Sequence, residues 1–345
     1  MNPLKILDIN KSPSSKIRLA AIAVILALLL TLPAWGSSYA VFMVTLMGIN
    51  ITLGQMWNLL AGYSGLVSLV LQMYIGVGAF TLAAFSDYLG VPLILGLLLG
   101  GVVSTIIAVG LSYLLLRMKG MYFAIATWMF AEAMVLLIVQ FEFFGKGQGL
   151  FVLAARALGS TQKYYFSVVM MLVVTFVMVL LLRSKLGLGL FSIRDNDTAA
   201  QTSGIPLFKS KLLVMMITGF VTGVCGGVYY IYFVWVQPYS AFSITTWTVA
   251  AVFIVVIGGI GTITGPIVGG IIYVFLSQYL AMLSNQIGSL NMVILGAIAV
   301  TVIIAAPKGI VGALQERFGF EIISARRWMG AYVDKLPATP PAPTT

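Results

Sequence analysis

The sequence predicts an all-α integral membrane protein of about ten transmembrane helices with both termini cytoplasmic, at roughly 20 apolar residues per span. Three observations carry this expectation. First, 61% of the 345 residues are hydrophobic and only 8% are charged, and mean hydropathy is +1.08. A soluble domain has about 25% charged residues. A chain so poor in charge cannot cover its surface with groups that water solvates, so lipid is much of its solvent. Second, apolar runs of spanning length recur along almost the whole chain. Third, the cationic residues between those runs fall almost entirely on one side.

In chain order, residues 1–18 form a basic tail with Lys5, Lys11, Lys16 and Arg18. Spans are expected at 19–35, 39–60, 68–86, 91–116, 121–141, 164–182, 211–234, 246–260, 264–284 and 289–306, giving a membrane domain over 19–306. Residues 1–40 also have features of a secretory signal peptide, with small residues at Ser37, Ser38 and Ala40. An uncleaved anchor is the expectation, because another apolar span begins at once. A tail at 307–345 contains an alternating stretch, Ile310 to Val333, that suits an amphipathic helix on the membrane surface. A Pro-rich end, Leu336 to Thr345, is expected to be disordered.

Ten spans put sixteen of the 19 Lys and Arg residues on the side of the termini. These include Arg117 and Lys119, the run from Arg183 to Lys211, and Lys308 onward. Lys146, Arg156 and Lys163 fall opposite. The positive-inside rule then gives N-in and C-in topology across a cytoplasmic membrane. It also accounts for the net charge of +10 without nucleic acid, for which these short loops form no basic groove. The 36 glycines suit close helix contact in lipid. The absence of histidine and the single cysteine, Cys225, speak against metal and haem chemistry.

The longest cytoplasmic connection joins the sixth and seventh spans. Ser192 and Asp195 have capping-box spacing. Gly204 suits the left-handed position after a helix, and Pro206 blocks its continuation. A short helix of about three turns is therefore expected, containing Arg194, Asn196, Ala199 and Ala200. The small alanines suit close docking. A solvated surface helix accounts for the same residues.

Several blocks resemble one family. Ser184 to Leu190, then Ser192-Ile193-Arg194-Asp195-Asn196-Asp197, Ala199-Ala200 and Gly204-Ile205 are similar to the cytoplasmic loop of branched-chain amino-acid ABC transporter permeases. Asn58 to Leu69, Gly120 to Thr127 with Phe130-Ala131-Glu132, Gly258 to Gly269, and Ala306 to Gly312 resemble further blocks of that family. Together they cover roughly residues 50–315. Leu188 departs from a frequent arginine, and Lys146 and Gln148 change the charge of a loop that is commonly acidic there.

The resemblance implies a transport subunit without an ATPase site or catalytic residues of its own. Its partners are then a second related permease, two cytoplasmic ATPase subunits that bind ATP and Mg, and a periplasmic or extracellular solute-binding protein. The short helix, with Ser192, Arg194, Asp195, Asn196, Ala199, Ala200 and Gly204, becomes the element that couples to the ATPases. The implied solutes are branched-chain amino acids or related small polar molecules. Amides, urea or simple sugars are the nearest alternatives.

Glu132 is the only carboxylate well inside an expected span, where an ionisable side chain usually faces protein or water. With Asn58 and Gln72 it forms the candidate translocation path, although each amide equally suits a hydrogen bond between helices. Gly62 and Gly65, and Gly258, Gly259, Gly261 and Gly265, suit either a broken segment or close packing. A single intramembrane carboxylate argues against an ion-coupled secondary transporter. The lack of charge rings argues against a charge-selective channel.

Overall fold

A computed structural model describes residues 13–287, 290–305 and 309–318. The basic tail before Pro13, most of the expected amphipathic stretch and the Pro-rich end lie outside the described residues. Long helices dominate: α1 (Pro13–Trp35), α2 (Ser38–Trp57), α3 (Leu71–Leu89), α4 (Leu93–Leu115), α5 (Met121–Gln140) and α6 (Ser160–Arg183). Two short helices follow, α7 (Lys185–Asp195) and α8 (Asp197–Thr202), then α9 (Leu207–Phe233). The chain continues through α10 (Pro238–Ala241), α11 (Ala250–Gly258), α12 (Gly265–Ile287), α13 (Leu290–Ala305) and α14 (Gly309–Phe318). Among the described residues, seven helical segments are long and apolar enough to cross a membrane.

The other three expected spans, in α1, α3 and α13, are not among these seven. Helix α3 carries Gln72 and Asp87 and is buried over most of its length, so protein rather than lipid surrounds it. Helix α13 is described over 16 residues, Leu290–Ala305, and adjoins undescribed residues at both ends. Helix α1 is 23 residues long and includes the apolar stretch Val24–Trp35. It contains Pro33, which has no N–H to give the Leu29 carbonyl. The Tyr164 hydroxyl of α6 donates to that carbonyl instead, and the Tyr165 hydroxyl donates to the Leu30 carbonyl at 2.9 Å. Two tyrosines thus satisfy backbone groups that lipid cannot.

Helices α3, α4 and α9 pack on one another with α3 the most buried, and their glycines bring backbones into contact. A Cβ on Gly78 would lie 2.0 Å from the Gly223 carbonyl oxygen, and one on Gly226 would lie 2.3 Å from that of Ile75. Small residues serve this purpose where lipid removes the hydrophobic drive for helix association. Elsewhere, α2 packs on α6, where the Ser167 hydroxyl donates to the Thr45 carbonyl at 2.7 Å. The opposite side of α2 meets α11 and α12.

The connections segregate to two ends. At one, β1 (Leu150–Phe151) pairs antiparallel with β2 (Trp235–Val236), and Asp87 accepts from the Leu153 N–H at 3.0 Å. At the other end lie the break after α2, the α7–α8 connection and the turn between α11 and α12.

Candidate functional site

The connection between α6 and α9 corrects the expected short helix. Two helices form instead of one. Ser184 caps α7 by accepting from the Leu186 N–H at 3.2 Å. Asn196 ends α7 in an extended conformation (φ −161°, ψ 110°), and its Oδ1 caps α8 through the N–H groups of Thr198 and Ala199. The expected Ser192–Asp195 capping box is absent. The Ser192 hydroxyl donates to the Leu188 carbonyl at 3.1 Å, and the Asp195 carboxylate accepts from Arg194 Nε at 3.2 Å. The reason is that Ser184 offers an equally good cap a turn or more earlier, ahead of the buried pair Leu190 and Ile193.

The far end of this segment is as the sequence predicts. Gly204 is left-handed (φ +81°) and its N–H bonds the Gln201 carbonyl, while the Ile205 N–H reaches the Ala200 carbonyl at 3.1 Å. This is a Schellman closure, followed by Pro206. Lys211 of α9 pairs with Asp197 at 2.8 Å and holds α8 against the bundle. Ala200 is buried within the chain, whereas Ser192, Asp195, Asn196, Thr198, Ala199 and Gln201 are exposed.

Beneath α7 three segments converge. Helix α2 widens into a π-helical turn, Asn58–Tyr63, and the backbone then runs without helix over residues 65–70. Gly65 takes φ +70°, which a side chain would strain. Gly62 packs closely, since a Cβ on it would lie 2.8 Å from the Gly261 nitrogen. Side chains bond the backbone of the break at two points, with Trp57 Nε1 donating to the Ser68 carbonyl and Thr127 Oγ1 accepting from the Leu69 N–H, while Gly65 and Val67 are exposed.

The Gly258–Gly265 segment makes a tight turn, in which a Cβ on Gly258 would lie 1.9 Å from the Gly265 carbonyl oxygen. Gly259 (φ 128°) and Gly261 (φ 77°) need glycine's freedom. Asn58 ties the two segments together. Its Oδ1 accepts from the Gly261 N–H and its Nδ2 donates to the Thr262 carbonyl, both at 2.8 Å. One turn earlier, Gln55 Nε2 donates to the Ile263 carbonyl at 2.8 Å. Arg194 joins from above, with Nη1 3.0 Å from the Gly62 carbonyl oxygen.

The remaining candidates are dispersed. Gln72 is fully buried at the start of α3, and its Oε1 accepts from the Thr248 hydroxyl. Glu132 lies exposed on α5, accepting from Trp128 Nε1 at 3.0 Å. Sequence reasoning missed Gln55 and Thr248. Gln55 had a readable signal, since it lies three residues before Asn58 and so shares its helix face. Thr248 had none, because a threonine in an apolar helix commonly bonds its own backbone, as Thr52 does here.

Comparison with known proteins gives consistent results. The family model described as the branched-chain amino acid transport system permease component matches residues 39–303. The high-affinity branched-chain amino acid transport system permease protein LivM of Salmonella typhimurium is 27% identical over 320 residues, covering 83% of this chain and 74% of that protein. Its Escherichia coli K12 counterpart is 28% identical with the same coverage. No solved structure matches.

Proposed function

The chain belongs to the family of branched-chain amino acid transport system permease components, and on that premise we propose that it is one of two related permeases in an ATP-driven importer. The proposed solutes are branched-chain amino acids or closely related small polar molecules, as the names of the LivM relatives suggest. Separate cytoplasmic ATPases bind ATP and Mg and drive alternating access, and a solute-binding protein delivers from outside. The proposed topology is ten spans with both termini inside a prokaryotic inner membrane. The charge asymmetry of the loops and the segregation of connections to two ends support it.

The observation that carries the ATPase partnership is the α7–α8 pair. It presents exposed small and polar residues and is held to the bundle by Lys211–Asp197 and by Arg194. A surface element anchored in this way transmits a push instead of yielding to it. Ala199 is the exposed alanine of the pair, so Ala199→Arg tests docking without disturbing the interior. The expected result is that the native chain co-purifies with its ATPases, whereas the variant inserts and folds but loses them. No ATPase association in the native chain, with solute flux by this chain alone in ATP-free vesicles, overturns the proposal.

Glu132 is assigned to the translocation face. It lies midway along α5 among the exposed apolar residues Ile125, Met129 and Leu136. Facing lipid there would cost about 2.5–3.5 kcal/mol on insertion scales, so cover by the second permease or by water is the favourable arrangement. A carboxylate at this point suits the ammonium group of an amino acid. Losing one charge-assisted contact weakens an interaction by about tenfold or more. Glu132→Gln should therefore lower transport at limiting solute by that factor while leaving assembly intact. Unchanged transport removes Glu132 from the path.

A further inference from the structure

The Arg194 side chain is partly exposed, at 39%, and its tip reaches inward from the last turn of α7. Its Nη1 donates to the Gly62 carbonyl at 3.0 Å, inside the π-helical turn that ends α2. The same nitrogen packs on the turn between α11 and α12, since a Cβ on Gly261 would lie 2.9 Å from it. Gly65, the left-handed residue at the break, would place a Cβ 3.4 Å from the Arg194 Cα. The guanidinium also lies 5.8 Å from the centroid of the Phe191 ring, and that ring meets Tyr63 edge-on at 5.5 Å. Asp195 holds Nε at 3.2 Å and fixes the fork's direction. One side chain thus joins the surface helix to two glycine-built segments, and Asn58 locks those segments to each other.

We propose that Arg194 is the positioning residue through which displacement of α7 reaches the break between α2 and α3, so that its role is transmission and not ATPase docking. The inference rests on the reading of α7–α8 as the ATPase-facing element. The target is suited to receive a push. A π-helical turn is a rare local variant of the α-helix, found mostly as a single turn within α-helices and frequently at functional sites. The extended residues 65–70 that follow it lead directly into α3, which is buried over most of its length. The Leu69 N–H is held by Thr127 of α5, and the Gln72 N–H by Thr248 in a second π-helical turn, Thr245–Val249. A shift of the Gly62 carbonyl therefore reaches α3, α5 and α11 through hydrogen bonds between named groups. Without the Arg194 link, α7 could move with the ATPases while the break stayed in place.

The test uses the full complex of permeases, ATPases and solute-binding protein in proteoliposomes, with Arg194→Gln and Arg194→Lys. ATPase retention, ATP hydrolysis and solute uptake are measured on the same preparations. Expected for Arg194→Gln are retained ATPases, continued hydrolysis and about a tenfold fall in solute moved per ATP, within the range usual for coupling between sites. Arg194→Lys should fall in between, because an ammonium can reach the Gly62 carbonyl but lacks the fork that also engages Asp195. A native ratio in Arg194→Gln overturns the inference. So does loss of the ATPases from a folded Arg194→Gln complex, which would make Arg194 a docking contact. If Arg194→Gln does not assemble, a native ratio in Arg194→Lys overturns it equally. Failure of the native chain to retain ATPases instead sinks the underlying reading of α7–α8.

Discussion

Gly78→Ala is expected to destabilise the bundle severely, although alanine is the better helix former. Propensity alone favours alanine over glycine in a helix interior by about 1 kcal/mol. At Gly78 the added carbon would sit 2.0 Å from the Gly223 carbonyl oxygen of α9. Non-bonded contacts between carbon atoms are optimal near 3.5–4.0 Å, so the helices would have to part by roughly 1 Å or more. The obstacle is backbone, which cannot swing aside as a side chain can. Parting the helices also loosens Gly100, whose own Cβ would lie 2.7 Å from the Gly78 carbonyl oxygen. The cost should exceed the roughly 1–3 kcal/mol typical of overpacking a core. Gly110 of α4 supplies the control, since a Cβ there meets nothing within 4 Å. Gly110→Ala should be neutral or slightly stabilising. Thermal inactivation of the two variants in detergent, followed by size-exclusion chromatography, compares them directly. Equal half-lives would mean that the three-helix contact does not control stability.

The same glycines show how far the fold was legible. Apolar run length located the helices well: the expected 91–116 is Leu93–Leu115, and the expected 121–141 is Met121–Gln140. Lipid makes this signal strong because every spanning segment must be helical and apolar. What a glycine is for was not legible. Gly65 and Gly78 look alike in sequence, yet one supplies a left-handed turn and the other a backbone contact across 145 positions. That distinction depends on neighbours distant in the chain. The α7–α8 break was hidden for a different reason. Ser184, Ser192, Asp195 and Asn196 are all competent caps, and burial of Leu190 and Ile193 chooses among them. The bridge of Asn58 to Gly261 and Thr262 spans about two hundred residues, so local pattern could name the amide but not its partners.

That bridge yields the second large effect. Asn58 bonds both Gly261 and Thr262, accepting from the Gly261 N–H and donating to the Thr262 carbonyl. Asn58→Leu keeps the branched shape and the number of heavy atoms but strands the Gly261 N–H and the Thr262 carbonyl. Each group left unpaired in a buried place costs about 1–3 kcal/mol. Gln55, one turn earlier, supplies the comparison, because Gln55→Leu strands only the Ile263 carbonyl. Asn58→Leu should therefore lose thermal stability in detergent relative to the native chain, and Gln55→Leu should lose less. Thermal inactivation of the three chains followed by size-exclusion chromatography compares them directly. Equal stability of Asn58→Leu and the native chain would show that hydrogen bonding at this junction does not hold the α2 break to the α11–α12 turn.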